Sequence, residues 1–525
     1  MCKKLYLLLV LLFLITVSSF SQTSMPVVEW ARTYGGAQID IGQSVIVTAD
    51  NKYVICGGTN SQDNDTLPRP TKLDALIIKT DENGNIIWKR TYGGNGDDFA
   101  TKIIQTMDGG FIIAGNSKSS DGVFSTNKGG VDAWILKLDS LGLFEWQKIY
   151  GGSKLDEARG IIQDDKGNYI FSINSDSNDG DFLGGQPDIV WLFKINNTGD
   201  VIWKNKYKGS RTQYAYDLIK YDNKYCLLVG ETSSIDGDFK GVLGDFIIKV
   251  DIDGNTLWLK SFSSPYTSTS TLNGYNSVIV TKTGDIMAFG YAYAFFNSEQ
   301  PLHYYADYFL TKMNKDGNLI WSKMYGGLDT DVGESILQLP TGEFIGTGFT
   351  ASKEGDIDSN CLHNNSQGIW TIKLDSVSKI IWKICLGGSK VDAPRDAVLT
   401  NDGAILITGD THSSDGTFSK SYGSYDIPLI KLRDVIKTAT YDNKNALQGF
   451  MFYPNPVNDN LTIENNTIGI LKVQLVNALG QILFSKSYNN GTYQIDCAQL
   501  PNGFYQLYVS DNNDAFTSKK LIIQK

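Results

Sequence analysis

Short apolar runs alternate with polar turns along most of the chain, and the runs recur in a fixed order. Between Tyr92 and Trp146 the pattern predicts four strands. The first is Ala100–Ile104, followed by a tight Asp108-Gly109-Gly110 turn. The second is Phe111–Gly115, and a polar loop over Ser119–Gly122 leads to the third, Asp132–Lys137. A short turn around Gly142 then leads into a fourth strand that carries Trp146. Runs of this length, bounded by Gly and Asp turns, suit strands. No segment shows the 3.6-residue spacing of an amphipathic helix.

One phrase marks the period of this pattern: a Trp, then an aromatic residue and two glycines. It reads WARTYGG from Trp30, WKRTYGG from Trp88 and WQKIYGG from Trp146, with weaker copies at Trp203 (WKNKYKG) and Trp258 (WLKSFSS). It returns as WSKMYGG from Trp321 and WKICLGG from Trp382. The step between these tryptophans is 55 to 63 residues. A period of that size means an array of supersecondary units, and four short strands per unit match propeller blades. An Asp follows the aromatic position, which Leu386 fills in the last copy, by six residues in five units (Asp40, Asp98, Asp156, Asp331, Asp392). The third strand opens on Asp74, Asp132, Asp188, Asp245, Asp307 and Asp426.

Counting units predicts how the array ends. Six whole units lie between Trp30 and Trp382, and a seventh stops after Lys431 without its Trp strand. Val27–Trp30 is a Trp strand with no unit before it. A seven-bladed ring in which that first strand completes the last blade leaves no open sheet edge between the ends. The expected class is therefore all-β: a seven-bladed propeller of four-stranded blades over 27–433, a polar linker over 434–450, and a small β-sandwich over 451–525. The repeated Trp is expected to be buried between sheets.

The two ends of the chain break the pattern. Lys3 and Lys4 precede an apolar run from Leu5 to Val17, and Ser19-Phe20-Ser21 follows it. This reads as a secretory signal over 1–21, since the run is short for a membrane span. At the other end, alternating apolar positions with Asn and Gly turns suggest the sandwich.

Composition narrows the function. The net charge is −10, from 47 basic and 57 acidic residues, which argues against binding a phosphate backbone. Five cysteines remain beyond Cys2, an odd and scattered set that is a poor disulfide framework; Cys56 and Cys226, inside apolar runs, read as core. The three histidines form no HxH or HExxH, and there is no GxSxG elbow. The Asp repeated in five units reads as a loop brace that accepts backbone N–H groups. Asp-Gly-Asp loops such as Asn178–Phe182 and Ile235–Phe239 could hold Ca²⁺ but lack the EF-hand spacing, so no cofactor is expected.

The repeat itself fails in units four and five, where YGG becomes Tyr207-Lys-Gly and then Phe262-Ser-Ser. Their loops are rich in aromatics: Tyr214, Tyr216, Tyr266, Tyr275, Tyr291, Tyr293, Phe295, Phe296, Tyr304 and Tyr305. The fourth-to-first and second-to-third loops share one face of a propeller and are the longer ones here, so that face is the expected binding surface. Tyr266, Tyr293 and Tyr304 are the expected contacts for a glycan or protein ligand. The leading expectation is a non-catalytic binding module or scaffold. A glycan hydrolase or lyase using face carboxylates is the alternative, and a purely structural surface component is the third.

The Trp strand, YGG, Asp and the run Asp132-Ala-Trp-Ile-Leu-Lys-Leu-Asp139 together resemble a family of secreted bacterial β-propeller repeats. The motifs YPNP from Tyr453, ALGQ from Ala478, LPNGFY from Leu500 and the basic ending resemble the type A C-terminal sorting domain of the type IX secretion system. That resemblance implies recognition by the export machinery through Tyr453, Pro454, Asn455, Pro456, Gly480, Gly503, Tyr505, Lys519 and Lys520. It also implies a protein on the cell surface or released from it, and no apolar stretch beyond the leader is long enough to span a membrane.

Overall fold

A computed structural model describes residues 23–61, 72–242, 244–262, 273–293, 305–357, 361, 366–437, 450–465, 471–477, 482–510 and 516–525. The expected signal over 1–21 lies outside them, as does most of the expected linker. The chain divides into two compact units, Pro26–Val435 and one built on the segment from Ile436.

Seven four-stranded antiparallel sheets make up the first unit. Blade 1 runs through Asp40–Val47, Tyr53–Thr59, Asp74–Thr80 and Ile86–Tyr92, from the axis outward. Blades 2 to 6 repeat this order from inner strands Asp98–Gln105, Asp156–Gln163, Gln213–Lys220, Asn273–Val280 and Asp331–Gln338. Blade 7 takes Asp392–Leu399, Ile405–Thr411 and Ile427–Lys437, and its outer strand is Thr23–Tyr34 from the start of the chain. Glu29 on that strand pairs with Arg433 and lies 3.7 Å from Lys431 on the third strand of the same blade. Val45, Ile55 and Ile78 of blade 1 share a core with Leu406, Ile427 and Leu429 of blade 7. The propeller reading and its shared last blade therefore hold.

The repeated phrase is what joins blade to blade. The Tyr hydroxyls of YGG reach the next blade's turn: Tyr34 donates to the Gly84 carbonyl (2.7 Å), Tyr92 to Gly142 (2.6 Å), Tyr150 to Gly199 (2.7 Å) and Tyr325 to Ser378 (2.7 Å). The tryptophans pack against the blade cores, as expected, from their rim. Trp88, Trp146 and Trp321 are half-buried, and only Trp382 of the seven is buried. They lie on the outermost strands, which have no fifth strand to cover them. Trp88 lies across the turn glycine Gly142 of the next blade, leaving no space for a Cβ there.

A second latch ties each third strand to the turn between the first two. Lys79, Lys137, Lys194, Lys373 and Lys431, which are buried, and Lys312, which is half-buried, reach Asp50, Asp108, Asp164, Glu343, Asp402 and Asp285 at 2.8–3.1 Å. In blade 4 the equivalent Lys249 instead sits over the rings of Tyr221 (3.7 Å) and Tyr225 (4.9 Å).

The cysteine expectation needs one correction. Cys361 and Cys385 form a disulfide, with Cα atoms 5.1 Å apart. Cys361 lies between the second and third strands of blade 6, and folding brings that loop back over the outer strand, which the 24-residue separation does not announce. Cys56 and Cys226 are free and buried, as core residues.

In the second unit, Phe450–Tyr453, Asn460–Asn465 and Gly491–Asp496 form one sheet. Ile482–Tyr488, Leu471–Val476, Gly503–Ser510 and Phe516–Ile523 form the other. Leu461, Ile463, Val473, Leu475, Leu507 and Leu521 share the core between them, so the unit is a sandwich. Among the described residues no helix is long and apolar enough to cross a membrane.

Candidate functional site at the mouth of the axial channel

Each innermost strand begins at the brace position and carries a β-bulge just beyond it. The brace itself is structural. Asp156 accepts the Gly152 N–H (2.8 Å) and the hydroxyls of Ser175 (2.5 Å) and Ser177 (2.9 Å). Asp40, Asp98, Asp331 and Asp392 repeat that set with their own Gly and Ser or Thr partners. The third-strand Asp132 lies against Gly151 at a position where any Cβ would collide with it, which is why the phrase needs glycine. Burial pushes Asp132 up to about 6.

The loop carboxylates are engaged as well. Asp121, Asp179, Asp236 and Asp415 each accept a backbone N–H from the preceding YGG-type loop, at 2.6–2.7 Å. This confirms that the fourth-to-first and second-to-third loops share a face. Among the described residues no group of three or more His, Cys, Asp and Glu could hold a metal ion.

Beyond the bulge, the strands place one side chain each toward the axis: Ser44, Lys102, Asp217, Ser277, Ser335 and Asp396, with Gly160 in blade 3. Lys102 Nζ lies 3.9 Å from Asp217 and 3.6 Å from Asp396. These residues come from blades 2, 4 and 7, which are not neighbours, so the contact crosses the axis. Ser44 Oγ (2.8 Å) and the Val45 N–H (3.1 Å) also donate to Asp396. Burial opposes the charge on Lys102, but Asp396 and Asp217 outweigh it and hold the ammonium well above its ordinary range. Burial pushes Asp217 up, with Lys102 opposing. The three charged groups meet where the inner strands converge.

On the loop side of this triad, blades 4 and 5 bring tyrosines around one carboxylate. Tyr216 donates to Glu231 Oε1 (2.8 Å) and Tyr291 to Glu231 Oε2 (2.6 Å). Tyr293 meets Tyr291 edge-on, ring centroids 6.2 Å apart. Tyr214 is paired with Glu231 across the two inner strands of blade 4. Gly274 makes the meeting possible, since a Cβ there would stand 3.0 Å from the Tyr291 ring and 3.1 Å from Glu231. Burial pushes the Tyr216 and Tyr291 phenols well above the ordinary range, and the Glu231 charge adds to it. Beside them Arg159 pairs with Glu157 at 2.7 Å. In blades 6 and 7, Arg395 pairs with Asp410 (3.0 Å) and lies 3.9 Å from Glu334, which burial pushes up to about 7.

Of the three expected contacts, Tyr293 belongs to this patch and is half-buried. Tyr266 and Tyr304 lie outside the described residues, as do Phe295 and Phe296. Tyr275 is not a surface residue: it is fully buried and donates to Thr311 (2.7 Å). The sequence reading missed Glu231, Arg159, Lys102, Asp217 and Asp396. Their signal was available, because aligning the units on the brace residue shows that the axial position changes while its neighbours repeat.

In the C-terminal unit, Asn455 accepts the Ile522 N–H (2.8 Å) and Val457 donates to the Ile522 carbonyl (2.7 Å), so the Tyr453–Pro456 phrase is tied to the last strand. Tyr453 is exposed. Gly503 opens the strand paired with that last strand, and Tyr505 is buried and donates to the Pro501 carbonyl (2.8 Å). Lys519 is exposed and Lys520 shares its strand, while Gly480 lies outside the described residues.

Residues 451–524 match the family of secretion system C-terminal sorting domains. A 73-residue stretch is 34% identical to an endo-acting ulvan lyase of Formosa agariphila, covering 14% of each chain. A WD repeat-containing protein of Acanthamoeba polyphaga mimivirus is 19% identical, over 93% of this chain and 44% of its own length. The chain therefore spans less than half the length of both curated relatives. Among solved structures, the WD40 domain of Neurospora crassa Pan2 superposes with a TM-score of 0.42 at 8% identity, over 80% of this chain and 98% of that one. The seven sheets and the family match together identify a β-propeller protein that carries the C-terminal sorting domain of the type IX secretion system.

Proposed function

We propose that the protein is a surface binding module whose contact surface is the loop face at blades 3 to 5. A leader over 1–21 takes it across the inner membrane, and the sorting domain then directs it across the outer one to the cell surface or the medium. The observation that carries the binding role is the Glu231 carboxylate held by Tyr216 and Tyr291 where the repeat is abandoned. In blade 7 the equivalent positions hold the Arg395–Asp410 ion pair, whereas blades 4 and 5 hold a carboxylate met only by phenols, and such a half-buried polar and aromatic patch is a place for a ligand. Tyr293 belongs to it, and Tyr266 and Tyr304 are proposed with it from the sequence. The ligand is a glycan or a polypeptide. A glycan array and a pull-down with wild type and the Tyr216→Ser/Tyr291→Ser variant test the reading. Loss of the captured partner with an unchanged melting temperature supports it, and retained binding rejects it.

One observation favours a second reading. Glu334, pushed up to about 7 beside Arg395 and Asp410, could exchange a proton at neutral pH. A glycan hydrolase or lyase would use such a group. Turnover on a polysaccharide panel that disappears in Glu334→Gln would establish it.

A further inference from the structure

We infer that the mouth takes a cationic side chain of a polypeptide partner, a lysine or arginine seated against Glu231 between Tyr214, Tyr216, Tyr291 and Tyr293. The inference rests on the binding role proposed above and names its ligand chemistry. It starts from a count of partners around the axis. Arg159 is paired with Glu157 and Arg395 with Asp410, while Lys102 is shared between two acids. Glu231 is different. Its two oxygens are oriented by phenol O–H groups, which are donors without charge. The carboxylate is therefore held in place, and among the described residues no lysine or arginine pairs with it.

The named charges lining the axis are six acids (Glu157, Asp217, Glu231, Glu334, Asp396, Asp410) against three bases (Lys102, Arg159, Arg395). The field at the mouth thus favours a cation. Aromatic faces attract ammonium and guanidinium groups, and most strongly where water is partly excluded. An oriented carboxylate with tyrosine rings on neighbouring strands combines both attractions at one point. Gly274 belongs to the same design, since its missing Cβ is the space in which Tyr291 and Glu231 meet.

The test uses the full chain and three probes: tetralysine, tetraglutamate and a neutral glucose tetrasaccharide, each titrated by calorimetry at low and at physiological salt. Tetralysine is expected to bind, less tightly as salt rises. Glu231→Gln should weaken it about tenfold, and Gly274→Ala should weaken it by pushing Tyr291 from the carboxylate. Tyr291→Phe, which removes one oxygen and keeps the ring, gives a second readout should Glu231→Gln fold poorly, and should weaken tetralysine binding less than Gly274→Ala. Tetralysine that does not bind, or that binds wild type and Glu231→Gln equally, overturns the inference. So does binding of the neutral tetrasaccharide that is lost in Tyr216→Ser, although that result would leave the mouth as the binding site. Loss of the array or pull-down partner in the tyrosine variant, with no response to tetralysine, likewise removes the cationic ligand and keeps the binding role.

Discussion

The seam between blades 2 and 3 and the seam between blades 4 and 5 occupy equivalent places in the ring, yet they are built differently. At the first, Tyr150 reaches the Gly199 carbonyl, and Asp156 gathers Gly152, Ser175 and Ser177. At the second, Phe262 stands in the tyrosine position and has no hydroxyl to offer. Asn273 replaces the brace Asp, and Ala292 replaces the serine that faces it in the pairing. Among the described residues the buried Asn273 Oδ1 atom meets no hydrogen-bond donor. Buried polar atoms left in this state cost stability. The seam that gives up the brace is the one beside Glu231, Tyr291 and Tyr293. Stability is carried by the repeated seams, and the departure from the repeat frees positions for a contact surface.

The strongest way to break this comparison is to remove what closes the ring. Deleting residues 23–36 takes the outer strand from blade 7 together with Glu29 and Tyr34, and should abolish a single cooperative thermal transition. A deletion that melts like the full chain would show that closure does not hold the blades. Next in size is the brace. Asp156→Ala strands one N–H and two hydroxyls in a buried seam and should cost about 3 kcal/mol in denaturant unfolding. Asn273→Ala, at the equivalent place, should cost less than about 1 kcal/mol, because its oxygen has no partner to lose among the described residues. Equal costs would mean that the two seams are energetically alike.

The third prediction concerns pH. Burial pushes Asp245 and Asp307 up to about 8 and Asp331 up to about 6. Each folded value lies above the ordinary carboxylate value, so the folded state binds more protons than the unfolded chain. The stability from these groups is full below about pH 4 and declines as pH rises through 6 to 8. The melting temperature should therefore fall between pH 5 and pH 9. Asp245→Asn, which keeps the oxygen that accepts the Phe262 N–H, should flatten that slope, and an unchanged slope would remove Asp245 from the explanation. The smallest effect is expected at the tyrosine latch. Tyr150→Phe should cost about 1 kcal/mol, whereas Tyr207→Phe, whose hydroxyl meets the Thr256 side chain and not a buried carbonyl, should cost less.

Much of this architecture was legible in the chain, because a propeller repeats its local chemistry. The Trp phrase, the Asp after it and the Asp-opened third strand each returned at a near-constant interval, so blade number and the shared last blade could be counted. The brace role of Asp40 and its equivalents was also legible, since a carboxylate near a Gly-rich turn has backbone donors at hand. The packing of Trp88, Trp146 and Trp321 against the cores was legible too, since an aromatic repeated at one strand position faces the same neighbours in every blade. The disulfide of Cys361 with Cys385 was missed because its two ends approach only when a loop folds back.

The site divides along the same line. Sequence alone determined that blades 4 and 5 depart from the repeat and are rich in tyrosine, because that is a property of the order of residues. It could not separate Tyr275, which is core, from Tyr291, which is not, since one strand position decides which face each side chain takes. Nor could it bring Lys102 to Asp217 and Asp396. Those residues are far apart in the chain and meet only because seven inner strands converge on one axis. Local periodicity is written in neighbouring residues and survives in the linear order. Convergence at the axis is a consequence of ring closure, and only the tertiary structure decides it.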